Sequence, residues 1–200
     1  MTARHVAIVD GGGANLASLR FALDRIGAAS TVTADAGQIL NASHVILPGV
    51  GAAASAMSLL ETKGLLGVLP DVTRPFLGIC LGMQLLCDRS AEDDAECLGI
   101  IPGQVRKLVA EPQHPVPNMG WSEVSQVDDN PLFGGIDDSS WFYFVHSYAL
   151  SVGDWTIAVA SHRDRFSAAV SRDNFYGVQF HPERSSAAGS RLLKNFLELD

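Results

Sequence analysis

Pro75-Phe-Leu-Gly-Ile-Cys80-Leu-Gly-Met-Gln-Leu-Leu86 reads as a short buried strand, a Gly-x-Cys-x-Gly turn and the apolar start of a helix. That is the layout of a nucleophile elbow, with cysteine where serine is usual. A nucleophile on such a turn sits in a strained backbone conformation, and Gly78 and Gly82 allow neighbouring segments to approach closely. The helix that follows points its N-terminus at Cys80, where unpaired N–H groups and the dipole favour a thiolate. Free cysteine is also among the most buried of residues, so this segment alone fits an ordinary core cysteine equally well.

The segments before the elbow repeat its strand-then-helix pattern. His5-Val-Ala-Ile-Val9 is an apolar run ending at Asp10-Gly-Gly-Gly13, a buried strand entering a tight turn. Asn15 can cap a helix carrying Leu16, Leu19, Phe21, Leu23 and Ile26 and ending at Gly27. The glycine cluster is not a dinucleotide fingerprint, because G-x-G-x-x-G from Gly11 needs glycine where Leu16 stands. Strands are expected over residues 30–33 and 44–47, with a short helix around Ile39 and Leu40. The second strand ends in Pro48-Gly49-Val50-Gly51, whose glycines leave backbone N–H groups free to face a ligand. Helices are expected over 53–60 and 65–69, then the strand 76–79 and the elbow.

From Glu92 onward the pattern changes to strands joined by short polar turns: 100–108, 120–124, 141–150, 156–160, 168–171 and 176–180, with alternation clearest in Phe142-Tyr-Phe-Val-His146. A last amphipathic helix, 187–197, puts Leu192, Leu193, Phe196 and Leu197 on one face. The expected fold is α/β: a central, mostly parallel sheet flanked by helices, with additional antiparallel strands in the C-terminal half. With no linker-like stretch and no repeat, residues 1–200 read as one domain.

Composition narrows the function. A net charge of −8 argues against nucleic acid or an anionic membrane as partner. Cys80, Cys87 and Cys97 are an odd count at no metal-ligand spacing, which points to a reducing, cytoplasmic setting and to no metal. The start, Met-Thr-Ala-Arg-His and four apolar residues before Asp10, is too short for a signal peptide. Residues 36–60 carry no charge but are interrupted by Pro48, Gly49 and Gly51, so they are not a membrane span.

A cysteine nucleophile needs a base, and the base an orienting acceptor. Of His5, His44, His114, His146, His162 and His181, the best placed is His181, at the end of the apolar strand in Gly177-Val-Gln-Phe-His181-Pro-Glu183. Pro182 keeps the backbone extended, so His181 and Glu183 can point the same way and the carboxylate can fix the imidazole tautomer. Alone, His-Pro-Glu is more often an incidental turn. With an elbow cysteine it gains force.

These residues carry a family resemblance. G-I-C-L-G-M-Q around Cys80 and G-V-Q-F-H-P-E around His181 resemble the two signatures of class I (triad) glutamine amidotransferases. Leu47-Pro-Gly-Val-Gly-Ala52, Val116-Pro-Asn-Met-Gly-Trp121, Tyr143-Phe-Val-His-Ser-Tyr148, His181-Pro-Glu-Arg-Ser185 and Asp10-Gly-Gly-Gly-Ala-Asn15-Leu resemble one branch, the glutaminase subunits of imidazole glycerol phosphate synthases. The resemblance implies a Cys80–His181–Glu183 triad and an oxyanion hole from Leu81 and the loop residues Val50 and Gly51. It implies a glutamine site including Gly49, Gln84, Glu92, Ser147 and Tyr148, and no cofactor. It also implies a heterodimer with a (β/α)8-barrel cyclase subunit, contacted through Asn15, Trp121, Tyr143 and Arg184. The cyclase would use the ammonia to convert N′-phosphoribulosylformimino-AICAR-phosphate (PRFAR) into imidazole glycerol phosphate and AICAR.

Plainer readings stand beside these. Alone, Gln84 reads as a surface residue, Glu92 as part of a solvated acidic loop, and Trp121 and Tyr143 as core aromatics. The chain departs from the family pattern at Asn118, often His, at Ser122, often Asn, and at Ala53, commonly Phe. Rival functions are another synthase's amidotransferase subunit (pyridoxal phosphate, anthranilate or aminodeoxychorismate), a partner-free γ-glutamyl hydrolase-like enzyme, and a non-enzymatic protein that kept the fold.

Overall fold

The computed structural model describes residues 5–11 and 16–200. Asn15, predicted to face a partner, lies outside them. The first half builds β1 (His5–Val9), α1 (Leu16–Arg25), β2 (Ala29–Thr33), α2 (Ala36–Asn41), β3 (His44–Gly49), α3 (Ala53–Thr62), β4 (Phe76–Cys80) and α4 (Leu81–Leu85). The second half adds β5 (Cys87–Ser90), β6 (Ala95–Glu96), β7 (Ile101–Lys107), β8 (Asn118–Gln126), β9 (Ser140–His146), β10 (Tyr148–Leu150), β11 (Thr156–His162), β12 (Asp164–Arg172), β13 (Phe175–Val178) and α5 (Ser186–Glu198).

The main sheet has nine strands in the order β2-β1-β3-β4-β13-β12-β11-β8-β9. From β2 to β13 all neighbours are parallel; from β13 to β9 all are antiparallel. The parallel strands β1, β3 and β4 are almost wholly buried, as expected of strands covered on both faces. Successive side chains point to opposite faces and so divide between two apolar clusters. Val6, Ile8, Ile46 and Leu77 face α1 and α5, packing with Leu19, Leu23, Leu193 and Phe196. Ala7, Val9, Val45, Leu47 and Phe76 face α2, α3 and α4, packing with Ile39, Leu60 and Met83.

Three local expectations need correction. Residues 65–69 form turns, not a helix; Leu65 and Leu69 are buried, but Gly64 and Gly67 break the run. The single strand expected over 141–150 is two, β9 and β10, separated at Ser147, and they belong to different sheets. β10 joins β7, β5 and β6 in a second, four-stranded sheet, against the α3 and α4 side of the main sheet. Phe21, assigned to the apolar face of α1, is 63% exposed; Leu19, Ala22 and Leu23 make the buried stripe.

Candidate active site

In an open parallel sheet the carboxyl ends of the strands are the natural place for a ligand. Here β3 ends at Gly49, paired in register with Cys80 at the end of β4. β13 is paired with β4 through Val178 and Ile79, so the chain leaving β13 passes Cys80 before reaching His181.

Cys80 is both the last residue of β4 and the N-cap of α4, at φ 54° and ψ −112°. A non-glycine residue there is strained, at a typical cost of about 1–3 kcal/mol. What holds it is close backbone packing. A Cβ on Gly82 would collide with the Leu47 carbonyl of β3, and one on Gly78 would lie 2.7 Å from the Gly82 carbonyl oxygen. Helix α4 is only five residues long, so the dipole invoked from the sequence has little more than one turn behind it.

His181 follows β13 and opens a 3-10 turn over Pro182–Arg184. Its Nδ1 lies 2.9 Å from Glu183 Oε1, and both side chains are buried. A carboxylate only accepts, so Nδ1 carries the proton and Nε2 is left to act as the base. Nε2 is buried with no hydrogen-bond partner of ordinary geometry among the described residues. Burial works to lower the His181 pKa, but the Cys80 thiol and the Glu183 carboxylate raise it more, and it is pushed up to about 10. Both neighbours therefore strengthen this imidazole as a base toward the Cys80 proton.

Cys80, His181, Val50, Gly51, Leu81, Gln84, Glu92, Ser147 and Tyr148 line one cavity of about 290 Å³. Gly49 and Glu183 stand behind it, lining a smaller recess on the far side of His181. Gln84 is not a surface residue: it is 4% exposed, and its amide nitrogen donates to the Tyr148 carbonyl and to Gln179 Oε1, both at 2.9 Å. Nor is Glu92 merely a solvated loop residue. Its Oε2 accepts from the Ala53 N–H at 3.0 Å, capping α3 and fixing the loop that carries Val50 and Gly51.

Trp121, Tyr143 and Arg184 cluster away from the cavity. Trp121 is 48% exposed, its ring 6.1 Å from that of Tyr143, and the Arg184 guanidinium lies 4.9 Å over the Tyr143 ring. Trp121 is thus no core aromatic. Among the described residues there is no group of three or more His, Cys, Asp or Glu placed to hold a metal, and no helix is long and apolar enough to cross a membrane.

Other residues at the site carried no sequence assignment. Gln179 donates to Cys80 Sγ at 3.8 Å, and Cys80 in turn lies 3.8 Å from the Val145 carbonyl. His146 lines the cavity, and burial pushes its pKa down to about 4, so it is neutral. Gln179 sits two residues before His181, the one signal that could have drawn notice to it.

The class-I glutamine amidotransferase family model matches residues 7–199. The chain is 50% identical over 195 residues to imidazole glycerol phosphate synthase subunit HisH 2 of Legionella pneumophila (strain Paris), covering 98% of each chain. It is 49% identical over 205 residues to subunit HisH 1 of that synthase from Vibrio vulnificus (strain YJ016), covering 100% of each. Among solved structures, one titled a glutamine amidotransferase superposes with a TM-score of 0.74 at 17% identity, over 96% of this chain and 97% of the other; that likeness speaks for the fold alone. An elbow cysteine, a carboxylate-held histidine and full-length similarity converge: the chain belongs to the class-I glutamine amidotransferase family.

Proposed function

We propose that residues 1–200 act as a single glutaminase domain, the ammonia-producing subunit of an imidazole glycerol phosphate synthase in the cytoplasm. The observation that carries this reading is Cys80, strained on its elbow, sharing a cavity with a His181 whose Nδ1 is held at 2.9 Å by Glu183. Cys80 gives its proton to His181 Nε2, and the sulfur attacks the carboxamide carbon of glutamine. Negative charge collects on the former carbonyl oxygen, where the Leu81 N–H and an N–H of the Val50–Gly51 segment receive it; losing one such donor typically costs about 10²–10³ in rate. The intermediate collapses to a glutamyl thioester as His181 returns the proton to the departing nitrogen, releasing ammonia. His181 then takes a proton from water, which cleaves the thioester to glutamate and restores the Cys80 thiol. Gln84, Glu92, Ser147 and Tyr148 line the glutamine site, and Gly49 backs it through the oxyanion loop.

The ammonia goes to a (β/α)8-barrel cyclase subunit, which uses it on PRFAR. Support for a partner comes from one face of the β8–β9 ribbon. There Met119 is 65%, Trp121 48% and Trp141 56% exposed, three large apolar side chains together on one face. The test is glutamate release by the chain alone, with the cyclase subunit, and with cyclase plus PRFAR. Low activity alone and strong stimulation in the full mixture are expected. Robust hydrolysis that ignores both additions would favour the partner-free hydrolase instead.

A further inference from the structure

We propose that Gln179 is a positioning residue that donates a hydrogen bond to the Cys80 sulfur and holds it as a thiolate, its amide oriented by a network anchored on the Tyr148 carbonyl. The proposal deepens the glutaminase reading and rests on it for Cys80 as the nucleophile. The orientation follows from one atom. A backbone carbonyl only accepts, so every group that meets the Tyr148 oxygen must bring a proton. His146 meets it through Nδ1 at 2.9 Å, which leaves Nε2 as an acceptor, and Asn118 supplies its Nδ2 to that nitrogen at 3.0 Å. Gln84 meets the same carbonyl through Nε2 at 2.9 Å and turns its second N–H to Gln179 Oε1. With Oε1 so used, Gln179 has only its own NH₂ to offer the sulfur. A flipped Gln179 would set two amide donors against each other and an oxygen against the sulfur.

Gln179 is wholly buried, and its amide meets only Gln84 and the Cys80 sulfur among the described residues. A buried amide at such a point is costly unless its partners use it. Gln179 does not line the cavity, so it acts on the substrate only through Cys80. The sulfur meets the Val145 carbonyl on one side and the Gln179 amide on the other. The thiol can donate to the first; once ionised it loses that contact and keeps the Gln179 amide, beside the His181 N–H that received its proton. In a site where Cys80 is 7% exposed, that donor replaces the water an anionic sulfur would otherwise hold. It also supplies what the short helix α4 does not.

The test is the pH dependence of iodoacetamide alkylation of the full-length chain, with peptide mapping to separate Cys80 from Cys87 and Cys97. In Gln179→Met the Cys80 midpoint should move upward by about one pH unit, the scale of a hydrogen bond to a charged group. Glutamine turnover with the cyclase partner should fall about tenfold in kcat with KM nearly unchanged. Gln84→Met, which frees the Gln179 amide to turn, should move the midpoint the same way by less. A Gln179→Met protein with the parental midpoint, even if it melts lower, overturns the proposal. Should that variant fail to fold, a parental midpoint in Gln84→Met does the same. Alkylation needs no turnover, so a shifted midpoint in a chain that hydrolyses no glutamine would sink the glutaminase reading and leave the Gln179–Cys80 contact standing.

Discussion

Cys80 occupies φ 54° and ψ −112° with a side chain, and the strain has a measurable counterpart. Glycine usually destabilises a folded segment by about 0.5–1 kcal/mol relative to alanine, but at a strained position that order reverses. Cys80→Gly is therefore expected to be about 1 kcal/mol more stable than Cys80→Ala, melting a few degrees higher by calorimetry, with glutaminase activity lost in both. His146 gives the second prediction at this scale. Burial keeps it neutral in the folded state, its pKa falling from 6.5 to about 4. The unfolded chain takes up the proton first, so stability rises with pH between those values and is lost as pH falls through them. Urea unfolding between pH 7 and about pH 4 should show the parent losing a few kcal/mol more than His146→Asn. His181, with its pKa raised, contributes in the opposite sense: its stabilisation is present below 6.5 and is lost as pH rises through about 10.

At the scale of elements, β9 and the turn at His181 are sewn together. The His181 N–H donates to the Tyr143 carbonyl at 2.9 Å, the Tyr143 N–H donates to Ser185 Oγ at 3.0 Å, and that hydroxyl donates to the His181 carbonyl at 2.7 Å. Phe180 packs between them, 4.1 Å from the Phe142 ring and 5.6 Å from that of Phe144. Ser185→Ala leaves the part-buried Tyr143 N–H without its partner, while the His181 carbonyl keeps the Arg184 N–H, so a loss of about 1–2 kcal/mol in urea unfolding is expected. A drop in kcat should accompany it as His181 loosens. The same scale explains what was legible in the sequence. Strands buried on both faces write themselves as apolar runs, so β1, β3 and β4 could be read directly. Cys87-Asp-Arg-Ser90 has no run and no alternation, so β5 and the second sheet were not legible. Residues 65–69 have helical spacing of apolar groups, but their burial is set by α3 and β4, not by a helix of their own. The elbow and the His-Pro-Glu turn were legible because their chemistry needs fixed local spacing. Gln179, His146, Asn118 and Ser185 were not, because their roles arise only from what the sheet brings beside them.

For the whole molecule, the exposed ribbon and the site are two sides of one structure. Trp141 and Tyr143 present side chains on the outer face of β9, while the carbonyls of Tyr143 and Val145 on the same strand meet His181 and Cys80. The proposed partner, seated on the ribbon, would bear on the strand that contacts both Cys80 and His181, which is how the proposed triad would come under its control. The proposed chemistry requires the glutamyl group to be carried on Cys80. Acid quenching of the chain and its cyclase partner during glutamine turnover, followed by peptide mapping, should find a glutamyl thioester on the peptide bearing Cys80 and none in Cys80→Ala. Steady turnover with no adduct on Cys80, or with turnover unchanged in Cys80→Ala, would contradict it.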